Sequence, residues 1–272
     1  MSENAIATKS ETTYSFSRIT CFEQCPRQFR YRYRDEVKEA FNSIEAFMGS
    51  RVHDTLEWLF NQKSSGLAPT VEEAVGRYCK VWDEALAAAP RPVRVIKRNT
   101  QAEEYRRRGA DMVSEFFRSR FVTDTFTTEA TELHVTVELD GRYSFQGFID
   151  RLARDDKGVL HIIDYKTGKR VPSRFEGKNA DQLRSYAVAL FAQTDSRELA
   201  LDLYFLRQDK LISSSIGRDE ARGMEESLCG RIKALEESTV FPPNPSVLCD
   251  WCGYNDICEA AGSGGWRPGS RD

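Results

Sequence analysis

The chain holds little that would tie it to a membrane. No apolar run reaches the length of a membrane span, and Met1 to Thr13 is polar, without the apolar core of a secretory signal. These absences lead to the expectation of a cytoplasmic protein with no membrane partner. The formal net charge is only −3, so nothing in the whole chain announces a polyanion and any surface for one must be local. No Gly-x-x-x-x-Gly-Lys-[Ser/Thr] run occurs, which excludes a P-loop motor. There is no internal repeat and no low-complexity tract. What is present is ordinary for a globular protein: 40% hydrophobic and 30% charged residues over 272 positions, enough for a full core in one elaborated domain or in two. Seven cysteines in a reducing compartment are thiols or metal ligands, not a disulfide framework.

Periodicity divides the chain into a helical half and a sheet half. Residues 1–13 read as a loose terminus. From Ser15 to about Phe121 the pattern is helical: Met48, Val52, Leu56, Leu59 and Phe60 share one face, a second helix runs from about Val71 to Ala89, and a third from Ala102 to Arg120. Strands follow at Glu132–Leu139, Tyr143–Leu152 and Val159–Tyr165, then a helix at Ala180–Phe191. Two more strands (Ala200–Leu206, Lys210–Ile216) and a helix at Glu220–Glu237 complete the order. The tail, 261–272, reads as flexible.

The densest chemistry lies in Gly147-Phe148-Ile149-Asp150 and Asp164-Tyr165-Lys166. Asp155-Asp156-Lys157-Gly158 is a turn signal between two apolar strands. A hairpin about that turn puts residue 150 within one position of 164, with the carboxylates roughly 5 Å apart. Lys166, two residues on, shares the face of Asp164. Two such aspartates repel unless a cation lies between them, and hard oxygen donors suit Mg²⁺ or Mn²⁺. The bland alternative is a solvated hairpin with charges at its strand ends. Gln182 and Tyr186 share a face of the next helix, although Tyr186 also falls in the apolar stripe of Leu183, Ala187 and Leu190. His53, one turn after Gly49, is either a further ligand or a surface histidine.

Two basic stretches could meet phosphates or stack bases: Arg27–Arg34, which interleaves arginine with Phe29, Tyr31 and Tyr33, and Arg91–Arg108, which ends in Arg106, Arg107 and Arg108. In the alternative reading the rings are core and the arginines solvated.

Cys249, Cys252 and Cys258 form a C-x2-C-x5-C run, one ligand short of a closed tetrahedral site. Cys25 is the natural fourth and Cys21 its rival; four thiolates suit zinc or an iron–sulfur cluster, and spacing does not separate the two. Such a centre would clip the beginning of the chain to its end.

In this order and spacing the motifs resemble the RecB-like branch of the PD-(D/E)XK nucleases, in particular members with an iron–sulfur staple, such as AddB-type nuclease domains and the exonucleases of CRISPR adaptation modules. The resemblance runs from about Tyr14 to Glu259. It implies an α/β (α+β) restriction-endonuclease-like fold with a mixed central sheet flanked by helices, as a single nuclease domain over 14–260. That domain would comprise a helical part (15–121), a catalytic core (129–237) and a cysteine segment (241–260) joined to Cys25. By position it implies that His53, Asp150, Asp164 and the Tyr165 carbonyl hold Mg²⁺ or Mn²⁺. Lys166 would assist the attacking water, with Gln182 and Tyr186 placing the DNA or the lysine. Cys25, Cys249, Cys252 and Cys258 would bind a 4Fe–4S cluster. The function expected is a DNA exonuclease acting on single-stranded or end-containing DNA in repair, recombination or defence, beside a helicase or another repair or CRISPR protein. Tyr31, Tyr33 and Arg106–Arg108 are candidate DNA contacts. The alternative is a non-catalytic DNA-binding subunit.

Overall fold

The computed structural model describes residues 12–262; most of the two segments read as loose, 1–13 and 261–272, lies outside them. Thr13, inside the first of those segments, already opens a strand because it pairs with Ser144. The elements in chain order are β1 (Thr13–Ser15), α1 (Phe16–Gln24), α2 (Pro26–Tyr33), β2 (Asn42–Ser43), α3 (Ile44–Ser64), α4 (Val71–Ala87), β3 (Val93–Arg94) and α5 (Ala102–Phe116). After a π turn at Phe117–Phe121 come β4 (Thr127–Leu139), β5 (Tyr143–Arg154), β6 (Leu160–Lys166), α6 (Gly177–Gln193), β7 (Glu198–Phe205), β8 (Lys210–Gly217), α7 (Arg218–Glu237) and α8 (Glu259–Gly262). They divide between two compact units, one up to Ile19 with Asp124–Glu237, the other Thr20–Thr123 with the chain from Ser238 onward. The fold is mixed α/β with a central mixed sheet and packed helices, as a restriction-endonuclease-like protein requires.

The second unit is built on α3, α4 and α5. Ile44, Phe47, Met48, Val52, Leu56, Leu59 and Phe60 are buried along α3, the stripe that the sequence pattern gives. Ser43 caps α3 by accepting the Ala46 N–H at 3.2 Å, and Thr70 with Glu73 forms a capping box on α4. The third helix stops as an α-helix at Phe116, short of the Arg120 expected. The wider π turn that follows brings both Phe117 and Phe121 into the core, where Phe121 meets Phe60 at 5.4 Å.

The first unit holds a six-stranded sheet in the order β1-β5-β6-β7-β8, with β4 on the remaining edge of β5. β4 and β5 form a long antiparallel ribbon. β4 begins five residues earlier than its apolar pattern suggests, because Thr127–Thr131 is a polar stretch with a bulge between Thr128 and Ala130. On its other edge β5 pairs with β1 through Ser144–Gln146 and with β6 through Arg151–Arg154. Among the described residues, 147–150 therefore have no strand beside them on that edge, and the sheet is split there. β6 and β7 are parallel and joined through α6, so the start of α6 follows the carboxyl end of β6, the usual place for a site in such a unit.

Candidate functional site

The split in the sheet is where Asp150, Asp164 and Lys166 come together. The last ladder pair is Arg151↔Ile163, so continuing the register sets Asp150 opposite Asp164 where the strands part. Asp150 closes the gap with its side chain, accepting the Tyr165 N–H at 2.8 Å. Asp164 is only 5% exposed, and a buried carboxylate needs a counter-charge. Lys166 supplies it, with Nζ 2.7 Å from Asp164 Oδ2. The same ammonium donates to Gln182 Oε1 at 2.9 Å, and Gln182 Nε2 donates to the Tyr186 hydroxyl at 2.8 Å. One chain, an ion pair followed by two hydrogen bonds, thus runs from the β6 aspartate to α6.

Tyr186 can lie there because residue 147 is glycine: a Cβ would stand 2.3 Å from the ring's Cε1. Burial pushes the Tyr186 hydroxyl up to about 12; Gln182 and the Phe148 backbone oppose the shift, and Asp164 and Asp150 reinforce it. The phenol therefore keeps its proton at neutral pH. Burial likewise raises Tyr165 against the pull of Arg151.

Glu132 is a residue that sequence reasoning missed. It lies between the pairs Thr131↔Arg151 and Leu133↔Ile149, in register with Asp150. Its backbone is left-handed, φ 46°, an uncommon conformation for a side chain other than glycine. Its carboxylate and that of Asp150 have oxygens within 4.8 Å of one another. Counting back from the Asp140-Gly141 turn would have paired 132 with 150, but a strand read as starting at 132 left that residue as a terminus. Hard carboxylate oxygens this close suit a divalent cation of the Mg²⁺ or Mn²⁺ type. His53 sits half-buried on α3.

The cysteines gather in the second unit. Cys25, Cys249, Cys252 and Cys258 line one cavity together with Tyr31, Pro243 and Asn244. Cys21 is buried and is not among its lining residues. Backbone N–H groups aim at the sulfurs: Asn244 donates to Cys25 Sγ and Ser246 to Cys249 Sγ, both at 3.4 Å. Burial pushes the Cys252 thiol up to about 11; a Tyr254 N–H opposes this, and Cys25, Cys249 and Cys258 add to it. The segment is pinned by Arg27, which donates to the Phe241 carbonyl at 2.9 Å, and by Asn244 Nδ2, which donates to the Gln24 carbonyl at 2.8 Å.

Four of the five candidate DNA contacts have protein partners in the structure. Tyr31 meets the Tyr254 ring at 5.6 Å, and Tyr33 meets buried Phe29 at 5.2 Å. Arg27 pairs with Glu259 and Arg32 with Glu39. Arg106 lies 3.1 Å from Asp83, and Arg108 lies over the Tyr105 ring. Arg107 is exposed. In the Arg27–Arg34 stretch, Arg27 and Tyr31 thus contact the cysteine segment.

A mixed sheet split between two acidic strands, with a lysine on the second, is a scaffold for metal-assisted phosphodiester chemistry. The chain belongs to the PD-(D/E)XK nuclease superfamily, which it matches over residues 13–259. Membership implies metal-dependent nuclease activity with DNA as substrate. No curated protein matches the chain. A solved structure described as the crystal structure of SSO0001 aligns with 93% of this chain and 89% of its own, at 16% sequence identity and a TM-score of 0.43. Among the described residues no helix is long and apolar enough to cross a membrane.

Proposed function

We propose that the chain is a RecB-like DNA exonuclease that acts on single-stranded or end-containing DNA, uses Mg²⁺ or Mn²⁺, and carries a 4Fe–4S cluster on Cys25, Cys249, Cys252 and Cys258. The observation that carries the catalytic part is the buried Asp164–Lys166 pair, tied through Gln182 to Tyr186 at the split beside Asp150. Asp150, Asp164 and the Tyr165 carbonyl are the ligands we assign, with Glu132 as an added carboxylate and His53 by its motif alone. A divalent ion bound there supplies a water of lowered pKa and neutralises phosphate charge. Lys166 holds its ammonium, oriented by Asp164 and Gln182, toward charge that develops on the phosphate. Tyr186 keeps Gln182 in place and holds its own proton.

The cysteine set supports a bound metal centre: Cys25, Cys249, Cys252 and Cys258 line one cavity, and four thiolates suit an iron–sulfur cluster or zinc. The N–H···S bonds suit thiolate ligands of either kind. A role in repair, recombination or defence beside a helicase or CRISPR protein, within the cytoplasm, completes the proposal.

The test is digestion of linear and circular single-stranded DNA, and of duplex DNA labelled at either end, by anaerobically purified protein. An exonuclease shortens the linear strands from one labelled end and spares the circle. Cutting of the circle would replace the exonuclease reading with an endonuclease. DNA binding without cleavage in either metal would favour a non-catalytic binding subunit.

A further inference from the structure

The ribbon that carries Glu132 and Asp150 also carries an exposed ring that the hydrophobic effect does not explain. Along β5, Phe145, Gly147 and Ile149 are buried, as alternation requires, while Phe148 between them is 52% exposed. Its cross-strand partner is His134. The two rings stack at 4.7 Å between centroids, with 20° between planes. His134 Nε2 lies 3.0 Å from Gln146 Oε1, which fixes the imidazole on the face that Phe148 shares. Alternation puts Gln146, Phe148 and Asp150 on one side of β5, with Thr136, His134 and Glu132 opposite them on β4.

We propose that the Phe148–His134 pair is a stacking platform for an unpaired base of the DNA substrate. The inference rests on the nuclease reading of the adjoining carboxylates. Phe148 is two residues from Asp150, about 7 Å along the strand, which corresponds to about two stacked nucleotides at about 3.4 Å per step. A base in that position would lie beside the phosphate under attack. Stacking on aromatic rings is a sequence-tolerant way of holding single strands. Within a duplex, both faces of a base are already covered by its neighbours, so the platform selects a frayed or single-stranded end. The pair is continuous with the carboxylates on the same two strands, which argues for nucleic acid over a protein partner.

The experiment uses the full chain, Phe148→Ala and Phe148→Tyr, with single-stranded oligonucleotides carrying 2-aminopurine at successive positions. Affinity is read by fluorescence anisotropy in Ca²⁺, and cleavage kinetics in Mn²⁺. The proposal expects quenching of 2-aminopurine near one position, lost in Phe148→Ala and kept in Phe148→Tyr. It expects a rise of about 5- to 150-fold in Kd and KM for the alanine variant, with the loss falling mainly on KM. Wild-type affinity, KM and quenching in Phe148→Ala would overturn it. Should the wild-type protein bind but not cut, the nuclease reading fails, and the quenching result still decides the platform. Binding of neither single nor double strands would overturn both, and a protein partner would then be the occupant to seek.

Discussion

At position 147 any side chain would enter the Tyr186 ring, whose Cε1 is 2.3 Å from where a Cβ would stand. Both β5 and α6 depend on that vacancy, since Tyr186 steadies Gln182, and Gln182 steadies Lys166. Gly147→Ala is therefore expected to cost about 1–3 kcal/mol, by the usual penalty for overpacking, and to lower cleavage by displacing the ammonium. Urea unfolding and a single-turnover assay measure the two effects, and wild-type values in both would show that the ring has room to move. At Asp164 and Lys166 the sequence was legible, because Asp-x-Lys on a strand fixes a common face. Glu132 was missed because the strand was read as starting there, although counting back from the Asp140-Gly141 turn sets it opposite Asp150. Tyr31 and Tyr33 each meet a neighbouring ring, of Tyr254 and Phe29, and interleaved aromatics and arginines read alike in sequence whether or not they also meet DNA.

The β5–β6 hairpin is held by polar groups at both ends, Arg151 next to the split and His161 toward the turn. Arg151 is only 2% exposed and forms a two-pronged pair with Asp124 at 2.7 and 2.9 Å. Removing one partner strands a buried charge, so Asp124→Ala should destabilise the protein by about 3–5 kcal/mol; denaturant unfolding that shifts by less than 1 kcal/mol would contradict this. On β6, His161 lies over the Phe126 ring, 2.6 Å from Asp202 on β7 and 3.6 Å from Asp155 in the turn, and Ser213 of β8 donates to Asp202. Burial alone would lower the imidazolium's pKa, but Asp202 and then Asp155 outweigh it and raise it above the ordinary 6.5. A raised folded-state pKa means that the stabilisation is complete below about 6.5 and is lost as pH rises through the folded value. The stability gap between wild type and His161→Gln should be widest in mild acid and narrow with rising pH, as denaturation at a series of pH values would reveal. A gap that widened toward alkaline pH would contradict the assignment. The hairpin was read from a turn signal and apolar runs, but no local pattern gives Arg151–Asp124 or His161–Asp202. Those pairs form only once the sheet order is known.

For the whole molecule the order of elements was legible and the division into units was not. The alternation of periods gives helices first and strands after. Periodicity does not show that the chain beyond Ser238 returns to the helical unit; that return was expected from the cysteine pattern alone, and Arg27, Phe241 and the cysteine cavity lie along it. Closing so long a loop through a bound cluster would stabilise that unit by about 5 kcal/mol on chain-entropy reasoning, and metal affinity adds to folding free energy. Cys252→Ala should then lose iron and acid-labile sulfide together with visible colour, and melt at lower temperature. Retention of iron with an unchanged melt would remove the cluster from the account. The central claim is that Asp150, Asp164 and Lys166 cut phosphodiester bonds, and its most direct test is the single-turnover cleavage rate of end-labelled DNA by wild type, Asp164→Asn and Lys166→Ala. The account predicts cleavage by wild type with Mn²⁺ or Mg²⁺, none with EDTA, and a loss on the order of 10²–10³-fold or more in each variant; equal rates in all three proteins, or cleavage that survives EDTA, would contradict it.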